Sequence, residues 1–168
     1  ADLIVAEKHL AKVHEGGEIK EVDIGFVGDV ASVNTQLIHD LLDKGYIPVI
    51  APIGVGRNYE SYNINADSVA GEVAGALAAE KLLLLTDVEG IYRDFNDKSS
   101  FISTLTFEEA QALIVDKVID GGMIPKVEAC VRALKGGAKK AHIIDGRQQH
   151  SLLLEVFTSG GIGSEVVR

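Results

Sequence analysis

Residues 22–30, VDIGFVGDV, place Val22, Ile24 and Phe26 at every second position, the period of a strand with one apolar face. The period then changes. In NTQLIHDLLDKG (34–45), Leu37, Ile38, Leu41 and Leu42 fall on one helical face, and Gly45 stops the pattern. YIPVIAPIGVG (46–56) predicts a short β-branched strand, with Pro48 and Pro52 suited to its ends. From Tyr62 to Ala66 the alternation returns, setting Ile64 on one face and the amides of Asn63 and Asn65 on the other. A helix follows over 67–80, whose stripe of Val69, Ala70, Val73, Ala74 and Leu77 is small enough to pack close to a sheet.

KLLLLTDVEGI (81–91) carries an unbroken apolar run from Leu82 to Leu85 and predicts a central strand buried on both faces of a parallel sheet. A helix over 106–117 opens with Thr106 and Glu109 at capping-box spacing. Another over 123–137 presents Ile124, Val127, Val131 and Leu134 and ends on Gly136 and Gly137. A short buried strand at 140–146, a helix at 150–160 and a last strand at 163–168 complete the reading. This alternation predicts an α/β fold, a three-layer sandwich with a mostly parallel central sheet. No repeat, low-complexity run or linker divides it.

Composition narrows the function classes. At 168 residues one core of ordinary size needs no disulfide or metal staple. No apolar run approaches the ~20 residues of a membrane span, so no membrane role is expected. Cys130 is the single cysteine and falls in a predicted helix, which points to a reducing, cytoplasmic setting. A net charge of −9 argues against nonspecific nucleic-acid binding, so any phosphate must be met locally. The opening ADLIVAEKHLAK has no secretory pattern and reads as though cut from a longer chain.

Ligands of open α/β sheets sit beyond the carboxyl ends of strands, which singles out three stretches: 86–92, the NINAD segment 63–67, and IDGGMIPK at 119–126. Gly121 and Gly122 ahead of a helix expose backbone N–H groups, and Lys126 adds a positive charge that opposes the macrodipole unless an anion is present. From these residues alone, a plain turn with a surface lysine is the commoner reading. Asp67 likewise has two readings, as the N-cap of its helix or as part of a polar cleft with Asn63 and Asn65.

Together NINADSVAGEVA, AEKLLLLTDVEGI, GGMIPKVEACVRAL and HIIDGRQQHSLLLEVFTSGGIG, in this order and spacing, resemble the amino-acid kinase family over nearly the whole chain. The wording NINAD and GMIPKV is most similar to its N-acetylglutamate kinase members, of arginine biosynthesis. The resemblance implies transfer of the γ-phosphoryl group of ATP to the side-chain carboxylate of N-acetyl-L-glutamate, with Mg²⁺ carried mainly by the nucleotide and no metal ligands from the protein. It implies catalytic roles for Lys126, on the phosphate charge, and for Asp67, which orients lysines and is no base, since a carboxylate nucleophile is already ionised. Asn63 would hydrogen-bond the substrate, with Asn65 beside it. Thr86, Asp87, Val88, Glu89, Gly90, Ile91, Tyr92, Val118, Ile119, Asp120, Gly122 and Met123 would line the nucleotide pocket. His142, Glu155 and Gly161 match the family's site for L-arginine as inhibitor, Glu155 pairing with the guanidinium, although a buried strand, a solvated helix residue and a turn would account for them too. A homo-oligomer is implied for the full-length enzyme.

One departure stands out. The family's N-terminal strand, Gly-rich loop with a second catalytic lysine, and substrate-gripping arginine have no counterpart here, since Gly16 and Gly17 lie in the charged stretch VHEGGEIK. The expectation is that residues 1–20 are a remnant of the substrate-binding lobe and 21–168 the nucleotide-binding lobe, inactive alone. The alternatives are a stand-alone ATP/ADP-binding lobe and a piece that complements a separate N-terminal fragment.

Overall fold

Two long strands, β1 (Ile4–Glu15) and β2 (Glu18–Val33), form an antiparallel hairpin that turns at Gly16 and Gly17, both with positive φ. The computed structural model describes residues 2–158 and 160–168. After β2 come helix α1 (Thr35–Asp43), strands β3 (Ile53–Val55) and β4 (Ser61–Asn63), and helix α2 (Ala66–Ala76). β1, β2, β4 and β3 close into a small barrel, with β3 parallel to β1 and β4 parallel to β2. Its core holds Ile4, Ala6, Tyr62 and Ile64. The strands approach so closely that a Cβ on Gly54 would stand 2.6 Å from the Ala6 side chain.

The first compact unit runs to Val69 and the second from Ala70 to Arg168. The division falls inside α2, so no Gly- or Pro-rich linker marks it, and β2 runs unbroken through residue 20, where the sequence reading placed a boundary.

The second unit contains β5 (Lys81–Thr86), β6 (Ile91–Tyr92), β7 (Phe101–Ile102), β8 (Thr104–Thr106), α3 (Phe107–Val115), α4 (Met123–Gly136), β9 (Lys140–Asp145), α5 (Ser151–Phe157) and β10 (Ser164–Val167). Its main sheet has the order β5-β9-β10-β8; β5–β9 and β10–β8 are parallel, and β9–β10 is antiparallel. Ala141 and Ile143 face a core shared with Val127, Cys130 and Leu134 of α4, while His142 points the other way and meets Glu155 of α5. Helices therefore cover both sides of β9. The fold class is α/β with parallel pairing, as the alternation predicts.

Several elements depart from expectation. The strand buried on both faces is β9, with four consecutive buried residues, whereas β5 lies at the sheet edge and exposes Leu85. Residues 46–52 form no strand, and Ile47 and Val49 stand 89% and 96% exposed: β-branched residues alone do not make a strand without a ladder to join. β2 is longer than 22–30, and its Val22, Ile24 and Phe26 are exposed. Ser159 of the predicted helix 150–160 lies outside the described residues, and α5 itself stops at Phe157. The small residues of α2 serve a helix contact: a Cβ on Gly71 would meet the Ala129 carbonyl oxygen at 2.6 Å, and Gly75 abuts Gly136.

Candidate functional site

In the first unit the NINAD segment resolves its own ambiguity about capping. The Asn65 side-chain oxygen accepts the Ser68 N–H at 3.0 Å, and its backbone carbonyl accepts the Val69 N–H at 3.0 Å. Asn65 is thus the N-cap of α2, and Asp67 stands inside the first turn, where its negative charge suits the helix dipole. Asn63 ends β4, paired with Ile53 and Val27, with its side chain exposed while Tyr62 and Ile64 point into the barrel.

In the second unit the end of β5 and the start of α4 border a cavity of about 560 Å³, a size that suits a small-molecule ligand. Thr86, Asp87, Val88, Gly90, Ile91 and Tyr92 line it from the β5 side, and Val118, Ile119, Asp120, Gly122, Met123 and Lys126 from the other. Among the residues expected there, Glu89 alone is not in the lining; Phe95 is there unexpectedly. The walls combine apolar surface with the carboxylates of Asp87 and Asp120, both residues being exposed, and the ammonium of Lys126.

Local sequence explains the arrangement. Gly121 turns the chain with φ +51°, and Gly122 is the N-cap of α4 with no side-chain cap bond. Apart from its chain neighbours, no described heavy atom lies within 4 Å of where a Cβ on Gly122 would stand, so the rest of the protein does not pack on this position. Pro125 suits a first turn, where it needs no N–H donor.

Glu89 acts behind the wall. It accepts from the Tyr92 hydroxyl and pairs with Lys98 Nζ at 2.5 Å; the Lys98 bond, then that from Tyr92, holds its carboxyl below the ordinary range. Lys98 also sits over the Tyr92 ring, 4.9 Å from its centre. Beside them Arg147 grips Asp145 with two bonds of 3.0 Å and lowers the Asp145 carboxyl.

His142, Glu155 and Gly161 meet around a second, polar cavity of about 220 Å³ that Lys81, Lys140 and Glu165 also line. Glu155 is committed within the protein. One oxygen meets His142 Nδ1 at 2.6 Å, and the other accepts the N–H groups of Ile162 and Gly163 at 2.7 and 3.1 Å. Burial pushes its carboxyl up, but these bonds, led by that from Ile162, prevail and hold it below the ordinary range. The more accessible acid is Glu165, 2.7 Å from Lys140 Nζ and 3.8 Å from His142 Nε2, a buried nitrogen with no hydrogen-bond partner. Gly161 has φ +58°, and a Cβ there would lie 2.8 Å from the Glu155 carboxylate. Glu155, expected to pair with a ligand guanidinium, thus has three hydrogen-bond partners within the protein.

The sequence pattern of the amino acid kinase family matches residues 4–145. The chain belongs to the amino acid kinase family. Over 167 residues it is 60% identical to the acetylglutamate kinase of Heliobacterium modesticaldum, covering 99% of this chain and 57% of that one. It is 58% identical over 165 residues to the acetylglutamate kinase of Moorella thermoacetica, covering 98% and 56%. The chain thus spans somewhat over half the length of these kinases. Among solved structures, N-acetylglutamate synthase from Neisseria gonorrhoeae, complexed with coenzyme A and L-arginine, superposes with a TM-score of 0.83 at 28% identity over 99% of this chain and 37% of that one. An amino acid kinase fold therefore carries both cavities.

Proposed function

We propose that this chain holds the nucleotide of an acetylglutamate kinase, an ATP-dependent phosphotransferase with a carboxyl group as acceptor. The observation that carries the reading is the 560 Å³ cavity, where an open glycine N-cap and Lys126 lie across from the end of β5. A triphosphate suits the helix N-terminus and the lysine; a ribose suits the exposed carboxylates, which accept hydroxyl hydrogens; a base suits the apolar wall. No group of three or more His, Cys, Asp and Glu converges among the described residues, and the reading has Mg²⁺ enter on the phosphate oxygens.

In the reaction a carboxylate oxygen of N-acetyl-L-glutamate forms a bond to the γ-phosphorus of ATP as the bond to the β–γ bridging oxygen breaks, giving an acyl phosphate and ADP. The nucleophile is ionised at pH 7 and needs no base. What the protein supplies is position and positive charge, and Lys126 supplies charge at the phosphates. Asp67 keeps an orienting role, and Asn63 offers an exposed amide to the substrate. The nucleotide-holding share of the fold is the unit Ala70–Arg168. Turnover by this chain alone is expected to be negligible, because Gly16 and Gly17 close a hairpin and make no phosphate loop.

Calorimetry tests the reading. MgATP and adenosine should both bind, and Lys126→Ala should weaken MgATP about tenfold or more while sparing adenosine, the scale of a charge-assisted bond. Equal losses for both ligands would make Lys126 structural; no binding of either would remove the reading. ADP release measured with N-acetyl-L-glutamate tests the expected lack of turnover.

The polar cavity favours a second, regulatory role, binding of L-arginine. Glu165 faces the guanidinium in this reading, Lys81 the carboxylate, and Glu155 holds the loop that contains Gly161. Chemical-shift changes around residues 142–165 with millimolar L-arginine, lost in Glu165→Ala and kept in Lys126→Ala, would support it; an unresponsive spectrum would refute it.

A further inference from the structure

Phe95 stands in the polar stretch RDFNDKSS, where nothing in the sequence marks it. The residue is 69% exposed, yet it lines the large cavity. An exposed aromatic ring lining a pocket that a lysine and a helix terminus also line suits a flat apolar ligand group. We propose that Phe95 is the stacking wall for the nucleotide base, a residue that supplies affinity for the base; this rests on the nucleotide reading above.

Two structural features hold the ring ready. The first is its turn. The Asp97 N–H donates to the Asp94 carbonyl at 3.0 Å, so Phe95 occupies the first corner of a β-turn. Asp94 Oδ1 accepts the Asn96 N–H at 2.9 Å, and Ser100 Oγ accepts the Asp94 N–H at 3.0 Å, closing the base of the loop.

The second is the ring behind it. Tyr92 is buried, and its centre lies 6.1 Å from that of Phe95 at an interplanar angle of 79°. Tyr92 is itself fixed by its bond to Glu89, by Lys98 over its face and by Phe101 at 5.2 Å. The edge-to-face contact positions Phe95 without stacking on it, which leaves a face open for a base. Stacking on an aromatic side chain tolerates any base, with purines covering more area than pyrimidines.

The test is calorimetry of this chain with adenosine, MgATP and inorganic tripolyphosphate. Phe95→Ala should weaken adenosine and MgATP by the same factor, roughly 5- to 50-fold, and leave tripolyphosphate unchanged. Phe95→Tyr should retain wild-type affinity for all three. The melting temperature of Phe95→Ala should match the wild type, because the ring is largely exposed. Adenosine binding that survives Phe95→Ala, or an equal loss of tripolyphosphate, overturns the assignment. A wild-type chain that binds none of the three overturns the nucleotide reading itself, an outcome distinct from failure of Phe95 alone.

Discussion

The hydroxyl of Ser164, wholly buried on β10, accepts the backbone N–H of Ile91 at 2.8 Å across 73 residues of sequence. It also donates to the Ile102 carbonyl at 2.6 Å, so one side chain ties β10 to the strands that carry the wall of the large cavity. Gly90 packs on the same hydroxyl: a Cβ there would stand 2.6 Å from Ser164 Oγ, at a φ of +153°.

Ser164→Ala should therefore destabilise the protein by about 1–3 kcal/mol, since a buried N–H loses its acceptor and a half-buried carbonyl loses this donor. For a chain of this size the melting temperature falls by roughly 2–4 °C per kcal/mol. Gly90→Ala should cost at least as much, and in the double variant the two losses should sum to less than their parts, because removing the hydroxyl relieves the collision. Strict additivity would mean that backbone strain at residue 90 accounts for the whole effect.

Gly71 tests the contact between α2 and α4. Alanine is favoured over glycine inside a helix by about 1 kcal/mol, which argues for a gain in stability. Against it stands a backbone oxygen, that of Ala129, 2.6 Å from the new Cβ, and backbone cannot swing aside as a side chain can. Overpacking of this kind costs about 1–3 kcal/mol, so Gly71→Ala should lower the melting temperature. A rise would show that the helices have room to separate.

At Asn65, loss of the N-cap in Asn65→Ala should cost about 1 kcal/mol, while Asn65→Asp, an equally good cap, should restore it. Asp67→Asn leaves the Asn65 cap bond intact and should cost less than Asn65→Ala. Thermal melts of the three variants decide whether residue 65 or 67 starts the helix.

That two-residue difference shows what the sequence could reveal. α3 was legible because Thr106 and Glu109 announce its start, and the structure forms both reciprocal bonds. α4 was legible because one face, with Val127, Val131 and Leu134, is buried. Asn65 and Asp67 are equally good caps on composition alone, so only the backbone register separates them. β1 went unread because beyond Ala6 it has no buried face; backbone pairing and exposed pairs such as Lys8–Asp23 and His9–Asp29 carry it on. The loops of the large cavity were found by the rule that ligands lie beyond strand ends, whereas a lone phenylalanine in a polar loop leaves no pattern to read.

Glu155 gives a prediction in pH. Its folded carboxyl lies below the ordinary range because, against the upward push of burial, the Ile162 N–H, His142 and the Gly163 N–H all favour the charged form. The unfolded chain, with a glutamate pKa of about 4.3, therefore takes up the proton first as the solution is acidified. The stabilisation from Glu155 is complete well above that value, fades as pH falls through the ordinary glutamate range, and is gone below the folded pKa. Glu155→Gln keeps the size of the side chain but neither the charge nor the second acceptor oxygen, and it should melt at a lower temperature than the wild type at pH 7. As the pH falls from neutral through the ordinary glutamate range that gap should narrow, and it should close below the folded pKa. Melting curves across this range decide the matter: a gap that stays constant with pH would show that Glu155 holds the 160–163 loop by shape and neutral hydrogen bonds, with its charge making no contribution.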